Sequence, residues 1–273
     1  MKNTVPILLY HSIQDRPPDR FRRWALAPAA FEAHLAYLRD QGYTLLTVSG
    51  WISRRRSPAA PERPLLVTFD DGLADFYTNA LPLLTRYHAP ATLYVVAGTI
   101  GQASRWLEGE GAGDQAMMTW EQIAAAAGSS IEIGAHSLSH PALDILDRES
   151  AWNEISGSRQ ALEAGLHRPV RSFAYPHGYH SQATRELVRK AGFSSACAVK
   201  NCLSDPEDDA LALARIIISN EVDVAALHRL LHGEGLAPNW QGERLATAGW
   251  RLTRRALSSL KSWGRLPRKV NVS

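Results

Sequence analysis

The run Leu65-Leu66-Val67-Thr68-Phe69 is apolar or β-favouring at every position, and two carboxylates and a glycine, Asp70-Asp71-Gly72, follow it without a break. A strand with no polar alternation is buried on both faces, as in a parallel sheet covered by helices. Acids at the end of such a strand are costly unless something pairs with them. Neighbours in sequence point in different directions, so the two aspartates suit different jobs, one to ligate a cation and the other to stay free as a base. The plainer alternative is a solvated strand-to-helix turn in which one aspartate caps the helix. What the other strand ends carry decides between them.

Strands and helices alternate along the rest of the chain. Residues 5–10 read as a first buried strand, 28–41 as a helix stopped by Gly42, 43–46 as a short strand and 48–53 as a short helix. Residues 74–87 are helical by pattern, but Pro82 inside them predicts a kink or a break. Further strands are expected at 91–95, 131–135, 172–174, 194–199 and 214–218, and further helices at 120–127, 148–164, 181–191 and 222–231. Thr119 with Gln122 three residues later makes a capping box. Residues 98–118 show no periodicity and read as a long loop over an active face. The pattern predicts an α/β fold, most simply a parallel (β/α) barrel.

Four polar clusters then share one address. His11, Asp70-Asp71, His136 with His140, and Tyr175-Pro176-His177-Gly178 each follow directly on an expected strand. In a β/α barrel the carboxyl ends of all strands meet on one face, from which catalytic residues are drawn. His136 and His140 stand four apart, a separation that lets both imidazoles reach one ion. With one aspartate they form an Asp-His-His set, and three protein ligands leave a position open for water, as in catalytic zinc sites. A metal there lowers the pKa of water toward neutrality and polarises a carbonyl. The aspartate that is not a ligand can then take a proton from the attacking water, and a histidine can protonate a departing amine. His11 is the candidate acid. The plainer alternatives are exposed histidines in a capping turn for the pair, and a packed buried histidine for His11.

Composition excludes several other classes. The chain has 273 residues, 45% hydrophobic and 21% charged, the proportions of a globular protein. Its two cysteines, Cys197 and Cys202, match neither a disulfide framework nor a metal-site spacing. The apolar stretch 7–10 is too short for a signal peptide and no run is long enough to span a bilayer, so the expected location is the cytoplasm. The net charge of +3 hides an asymmetry: residues 239–273 carry eight basic residues against Glu243, a net +7, which leaves −4 for residues 1–238. Within that segment Leu245, Ala248, Leu252, Ala256, Leu260 and Trp263 recur at helical steps with Arg and Lys on the other face. A helix over 242–265 of this kind can lie peripherally on an anionic membrane at its inner face, or pack on the barrel with its basic face solvated. No nucleic-acid-binding module accompanies the charge, so no nucleic-acid partner is expected.

Thr68-Phe69-Asp70-Asp71-Gly72 and His136-Ser137-Leu138-Ser139-His140 resemble the first two motifs of the polysaccharide deacetylase (NodB-like) family, carbohydrate esterase family 4. Phe173-Ala174-Tyr175-Pro176-His177-Gly178 resembles the third, and the similarity covers about residues 5–220. The resemblance implies a distorted (β/α) barrel, a divalent metal, most often zinc, and hydrolysis of an N-acetyl group from an amino sugar. Carried over by position, it implies Asp70 as base and Asp71, His136 and His140 as metal ligands. It also implies a substrate and oxyanion region at Tyr175, Pro176 and His177, the His177 N–H helping to hold the oxyanion and its ring lining the pocket. The opening Leu8-Leu9-Tyr10-His11-Ser12-Ile13 resembles the branch acting on poly-N-acetylglucosamine, where the acid histidine comes from this early position.

Two departures matter. Many members carry an arginine where this chain has Ala174, so the resemblance names no partner to tune the base, and Arg171 is near but out of register. Many also take the acid from a late Leu-x-His motif, which Leu227-His228 and Leu231-His232, on an expected helix, do not match. The expected organisation is a catalytic domain, 1–238, and a basic amphipathic tail, 239–273. The expected function is metal-dependent deacetylation of N-acetylated sugars in a polysaccharide or glycolipid precursor. The alternatives are a catalytically silent carbohydrate-binding barrel and an amide hydrolase for a non-sugar substrate.

Overall fold

Apolar runs with no polar face must be covered on both sides, and here they pair edge to edge inside a shell of helices. The computed structural model describes residues 4–239, 249–251, 253 and 254. Ten short strands form among them: β1 (Ile7–Tyr10), β2 (Ser12–Ile13), β3 (Ala25–Leu26), β4 (Thr44–Leu46), β5 (Pro64–Phe69), β6 (Ala91–Val95), β7 (Ile131–Ala135), β8 (Ser172–Ala174), β9 (Ser195–Cys197) and β10 (Ile216–Ile217). Seven helices alternate with them: α1 (Pro28–Asp40), α2 (Val48–Arg54), α3 (Leu81–Arg86), α4 (Trp120–Ala127), α5 (Arg148–Leu166), α6 (Gln182–Lys190) and α7 (Val224–Leu231).

Eight strands make one parallel sheet in the order β10-β1-β5-β6-β7-β8-β9, with β4 also on β5. β4 and β6 share one edge of β5 at different heights, β4 along residues 64–66 and β6 along Thr68 and Phe69. Beyond β9 a single bridge, Cys197 to Leu213, leads into the chain that becomes β10. The sheet therefore curls into a distorted barrel of the kind the alternation predicts. Where a kink was expected at Pro82, the chain widens into a π turn over Phe76–Ala80 before α3. Proline has no N–H for the carbonyl four residues back, and a wider turn accommodates the missing bond. The capping box ahead of α4 is formed in both directions, Gln122 N–H to Thr119 Oγ1 (3.3 Å) and Thr119 N–H to Gln122 Oε1 (3.0 Å).

Residues in register across parallel strands share a face, so pairing sorts the side chains. Leu9 pairs with Thr68 and with Ile217, and Thr68 pairs with Thr92. The inward set includes Ile7, Leu66, Tyr94, Ala174, Cys197 and Leu213, one small cluster. The outward set, with Leu8, Leu65, Val67, Phe69 and Phe173, packs under the helices in the main core. Two-residue alternation carried past each strand end puts His11, Asp70 and His136 on the inward side.

The apolar positions of the basic segment, Leu245, Ala248, Leu252, Ala256, Leu260 and Trp263, lie outside the described residues. Arg254 is described and packs against the barrel. Its guanidinium makes a bidentate pair with buried Asp144 (2.9 and 2.6 Å) and lies 3.9 Å over the Tyr179 ring. Among the described residues no helix is long and apolar enough to cross a membrane.

Space inside the barrel is tight at Gly134, where a Cβ would stand 2.5 Å from the Tyr94 ring. Tyr94 cannot swing aside freely, because its hydroxyl is bonded to Ser172 Oγ (2.7 Å) and Cys197 Sγ (3.2 Å). Gly134→Ala should therefore cost about 1–3 kcal/mol by overpacking. Thermal melts will read this as a lowered Tm; an unchanged Tm would mean that the inner layer is slack.

Candidate active site

Each expected site residue follows a strand, and the structure brings most of them to one cavity. His11, Asp70, Asp71, His136, His140 and His177 line a cavity of about 130 Å³ together with Leu9, Trp24, Trp106, Leu107 and Glu110. Four positions around it adopt left-handed backbone without being glycine: Asp71 (φ 74°), Ser137 (64°), His140 (63°) and His177 (58°). Such conformations persist only where the surroundings over-determine them, and they gather at functional sites.

The local supports are visible. Gly72 (φ 83°) lets the chain turn tightly after Asp71. Ser137 Oγ accepts the His140 N–H (3.0 Å), and Glu154 on α5 accepts the N–H groups of Leu138 and Ser139 (both 2.9 Å). The loop that carries both histidines is thus anchored to a helix by one carboxylate. Gly178 (φ 74°) is required as well, since a Cβ there would lie 2.4 Å from Val199.

Asp70 is a buried carboxylate with a buried partner. Arg215 donates to both its oxygens, at 2.6 and 2.7 Å, and Arg215 itself is fully enclosed. The same guanidinium donates to the Ala198 carbonyl (3.2 Å) and lies 5.5 Å over the Tyr94 ring. Burial alone would push the Asp70 carboxyl up; the Arg215 charge, then His136, outweigh it and hold it below the usual carboxylate range. Asp71 goes the other way, pushed well up by burial and then by the Asp70 charge.

Asp71, His136 and His140 offer ligand atoms within 4.8 Å of one another. Asp71 Oδ1 lies 3.4 Å from His140 Nε2 and 3.7 Å from His136 Nε2, and it is buried without a hydrogen-bond partner. His136 Nδ1 lies 2.8 Å from the Ala174 carbonyl, which can only accept, so Nδ1 carries the proton and Nε2 presents its lone pair. Burial lowers the pKa of both histidines, that of His140 well below the ordinary value. Two neutral imidazoles and an orphaned carboxylate oxygen are a donor set that fits a divalent metal ion.

The His11 ring lies tilted against Trp24 (4.8 Å between ring centroids, 54° between planes), and its Nδ1 is buried without a partner. Burial lowers its pKa to about 4, against the opposing charge of Asp70. His140 is held between Trp106 (5.3 Å) and His177 (4.6 Å). Tyr175 is not brought into the cavity. Its ring joins the outer core with Phe173, and its hydroxyl donates to the Leu211 carbonyl (2.9 Å). Pro176 is buried and does not line the cavity either.

The polysaccharide deacetylase family model matches residues 57–196, which is more than half of the chain and includes Asp70-Asp71 and the segment from His136 to His140. This chain belongs to the polysaccharide deacetylase family. It is therefore a hydrolase of the class that acts on N-acetylated sugars. YxkH of Bacillus subtilis, named for the same family, is 28% identical over 218 residues, covering 79% of this chain and 71% of that protein. The poly-beta-1,6-N-acetyl-D-glucosamine N-deacetylase of Staphylococcus epidermidis is 21% identical over 240 residues, covering 81% of each. The deacetylase PplD of Streptococcus pyogenes, solved in complex with acetate, shares the fold with a TM-score of 0.71 at 24% identity, over 85% of this chain and 99% of that one.

Sequence reasoning about this deacetylase missed Arg215, which takes the place of the partner lacking at Ala174. A single cation in the apolar run 211–218 was the available signal, because a buried charge demands an opposite one. Arg215→Met would leave Asp70 buried and unpaired, at a cost of about 3–5 kcal/mol. The pH dependence should change sign as well. With Arg215 present the folded pKa is depressed, so the stability from Asp70 is full above the unfolded pKa and lost as pH falls through the folded one. Without it burial dominates, the folded pKa rises above the unfolded value, and stability is lost as pH rises through that window. Urea melts of metal-free protein should show a wider gap between wild type and variant at about pH 7 than at about pH 5. Equal gaps would contradict this account of the pair.

Proposed function

We propose that this chain hydrolyses the N-acetyl group of N-acetylglucosamine units in a polysaccharide or glycolipid precursor, with zinc held by Asp71, His136 and His140. One observation carries the reading: the donor set and an ion-paired carboxylate, Asp70, converge in a single cavity. The name of the Staphylococcus epidermidis relative supports a β-1,6-linked poly-N-acetylglucosamine substrate. Residues 1–238 supply this chemistry, and 239–273 are an accessory segment.

When bound, the metal supplies Lewis acidity that polarises the amide carbonyl and makes water easier to deprotonate. Asp70 accepts the proton from the attacking water. Its depressed pKa keeps it ionised at neutral pH, and its bidentate hold on Arg215 leaves further lone pairs free to accept. His11 delivers a proton to the departing amine. Burial keeps the ring neutral in the resting site; as negative charge builds on the substrate beside it the ring takes up a proton from solvent, and the proton held by Asp70 returns to solvent as acetate leaves. His177 forms the wall of the acetyl site, its left-handed backbone turning the ring toward His140.

Acetate release from N-acetylglucosamine oligomers tests the assignment. Asp70→Asn and His11→Gln should each lower kcat by about 10²–10⁴-fold, the worth of a positioned base or acid. Both variants keep the three ligands, so zinc content measured on the same samples should stay near that of the wild type. An Asp70→Asn variant with wild-type turnover would refute the base assignment.

A further inference from the structure

The mouth of the cavity is built where two loops meet. Trp24, whose ring packs against His11, ends the turn Arg22–Trp24 and donates its indole N–H to Glu110 Oε2 at 2.7 Å. Glu110 ends the turn Arg105–Glu110. Phe21, Leu73, Leu107, Ala112 and Met117 hold the two turns together in an apolar cluster separate from the barrel core. Nothing in the chemistry described above uses Glu110, yet it lines the same cavity as Asp70 and His11.

Its charge has no cationic partner among the described residues. Arg23 lies over the Trp24 ring, 4.1 Å from its centroid, and makes no ion pair with Glu110. An indole N–H occupies one oxygen without neutralising the carboxylate, and the second oxygen makes no hydrogen bond among the described residues. The indole N–H of Trp106, on the same turn, is likewise buried without a partner in the cavity wall. A fixed carboxylate facing a cavity, with no cation of its own, suits a cationic group on the ligand. On the deacetylase reading, the reaction itself makes such groups, because each acetyl removed leaves a basic amine that becomes an ammonium on taking up a proton.

We propose that Glu110 is a specificity-determining residue that receives the ammonium of an already deacetylated sugar next to the N-acetyl unit under attack. Trp24 orients the carboxylate for this. The enzyme accordingly favours partly deacetylated chains over fully acetylated ones, an inference that rests on the deacetylase reading. A carboxylate that merely braced Trp24 would show no such preference.

The test compares kcat/KM for acetate release from a fully N-acetylated glucosamine tetramer and from a tetramer with one free amine beside an acetylated unit. Wild type should prefer the second by about fivefold, the worth of one partly screened ion pair. In Glu110→Gln, which retains an oxygen for the Trp24 indole and loses only the charge, the ratio should fall to about one; high salt should compress the wild-type ratio in the same way. Glu108→Gln removes an equal charge from an exposed position on the same turn and should leave the ratio as it is. Equal efficiency of wild type on both substrates, or an unchanged ratio in Glu110→Gln, overturns the proposal and leaves the deacetylase reading intact. Release from neither substrate by metal-loaded wild type overturns both.

Discussion

A carboxylate that is to act as a base must stay ionised, and the interior of an apolar barrel is the worst place to keep it so. The pair of Asp70 with Arg215 meets that constraint, and much of the structure depends on it. Asp70 comes from the end of the central strand, β5, whereas Arg215 comes from the chain entering β10, the strand that leads the sheet round to β1. Curling of the sheet and tuning of the Asp70 carboxylate, the proposed base, are therefore one interaction. A buried pair of this kind adds little net stability over an apolar core, but it is expensive to break. That asymmetry is what makes Arg215 hard to lose once Asp70 is in place.

The second constraint is geometric. Asp70 and Asp71 are adjacent yet stand in opposite electrostatic situations, one satisfied by a guanidinium and the other left with an orphaned oxygen beside two imidazoles. Side chains of adjacent strand residues already point in different directions, and the left-handed φ of Asp71 and Gly72 turns the chain sharply just after Asp70. Similar turns at Ser137, His140 and His177 bring three histidine rings into contact, and the Glu154 carboxylate fixes the segment between them. Strain at these positions is maintained by packing elsewhere, as at Gly178 against Val199.

Much of this was legible in the chain, for a physical reason. Buried parallel strands are marked by unbroken apolar runs, and polar residues directly after them must lie at one end of the barrel, so His11, Asp70, Asp71, His136 and His140 could be grouped before any contact was known. Arg215 escaped because its role depends on register: only the alternation of Leu213, Arg215 and Ile217 on one face turns it inward. Tyr175 shows the converse. Motif position grouped it with His177, but alternation from Phe173 sends its ring to the outer core, where its hydroxyl finds the Leu211 carbonyl. Trp24 and Glu110 sit on aperiodic loops, and their meeting is a tertiary event with no local signal. At Pro82 the pattern gave the position of a disturbance and not its form, since a kink and a π turn both solve the missing N–H.

The central claim is that one metal ion held by Asp71, His136 and His140 is needed for deacetylation in this cavity. Titrating zinc into chelator-stripped protein, while following bound metal and acetate release from β-1,6-linked N-acetylglucosamine oligomers, tests it most directly. The account predicts activity that rises with bound zinc and levels off at one equivalent per chain. Full activity in the stripped protein, or one bound equivalent with no acetate released, would contradict it.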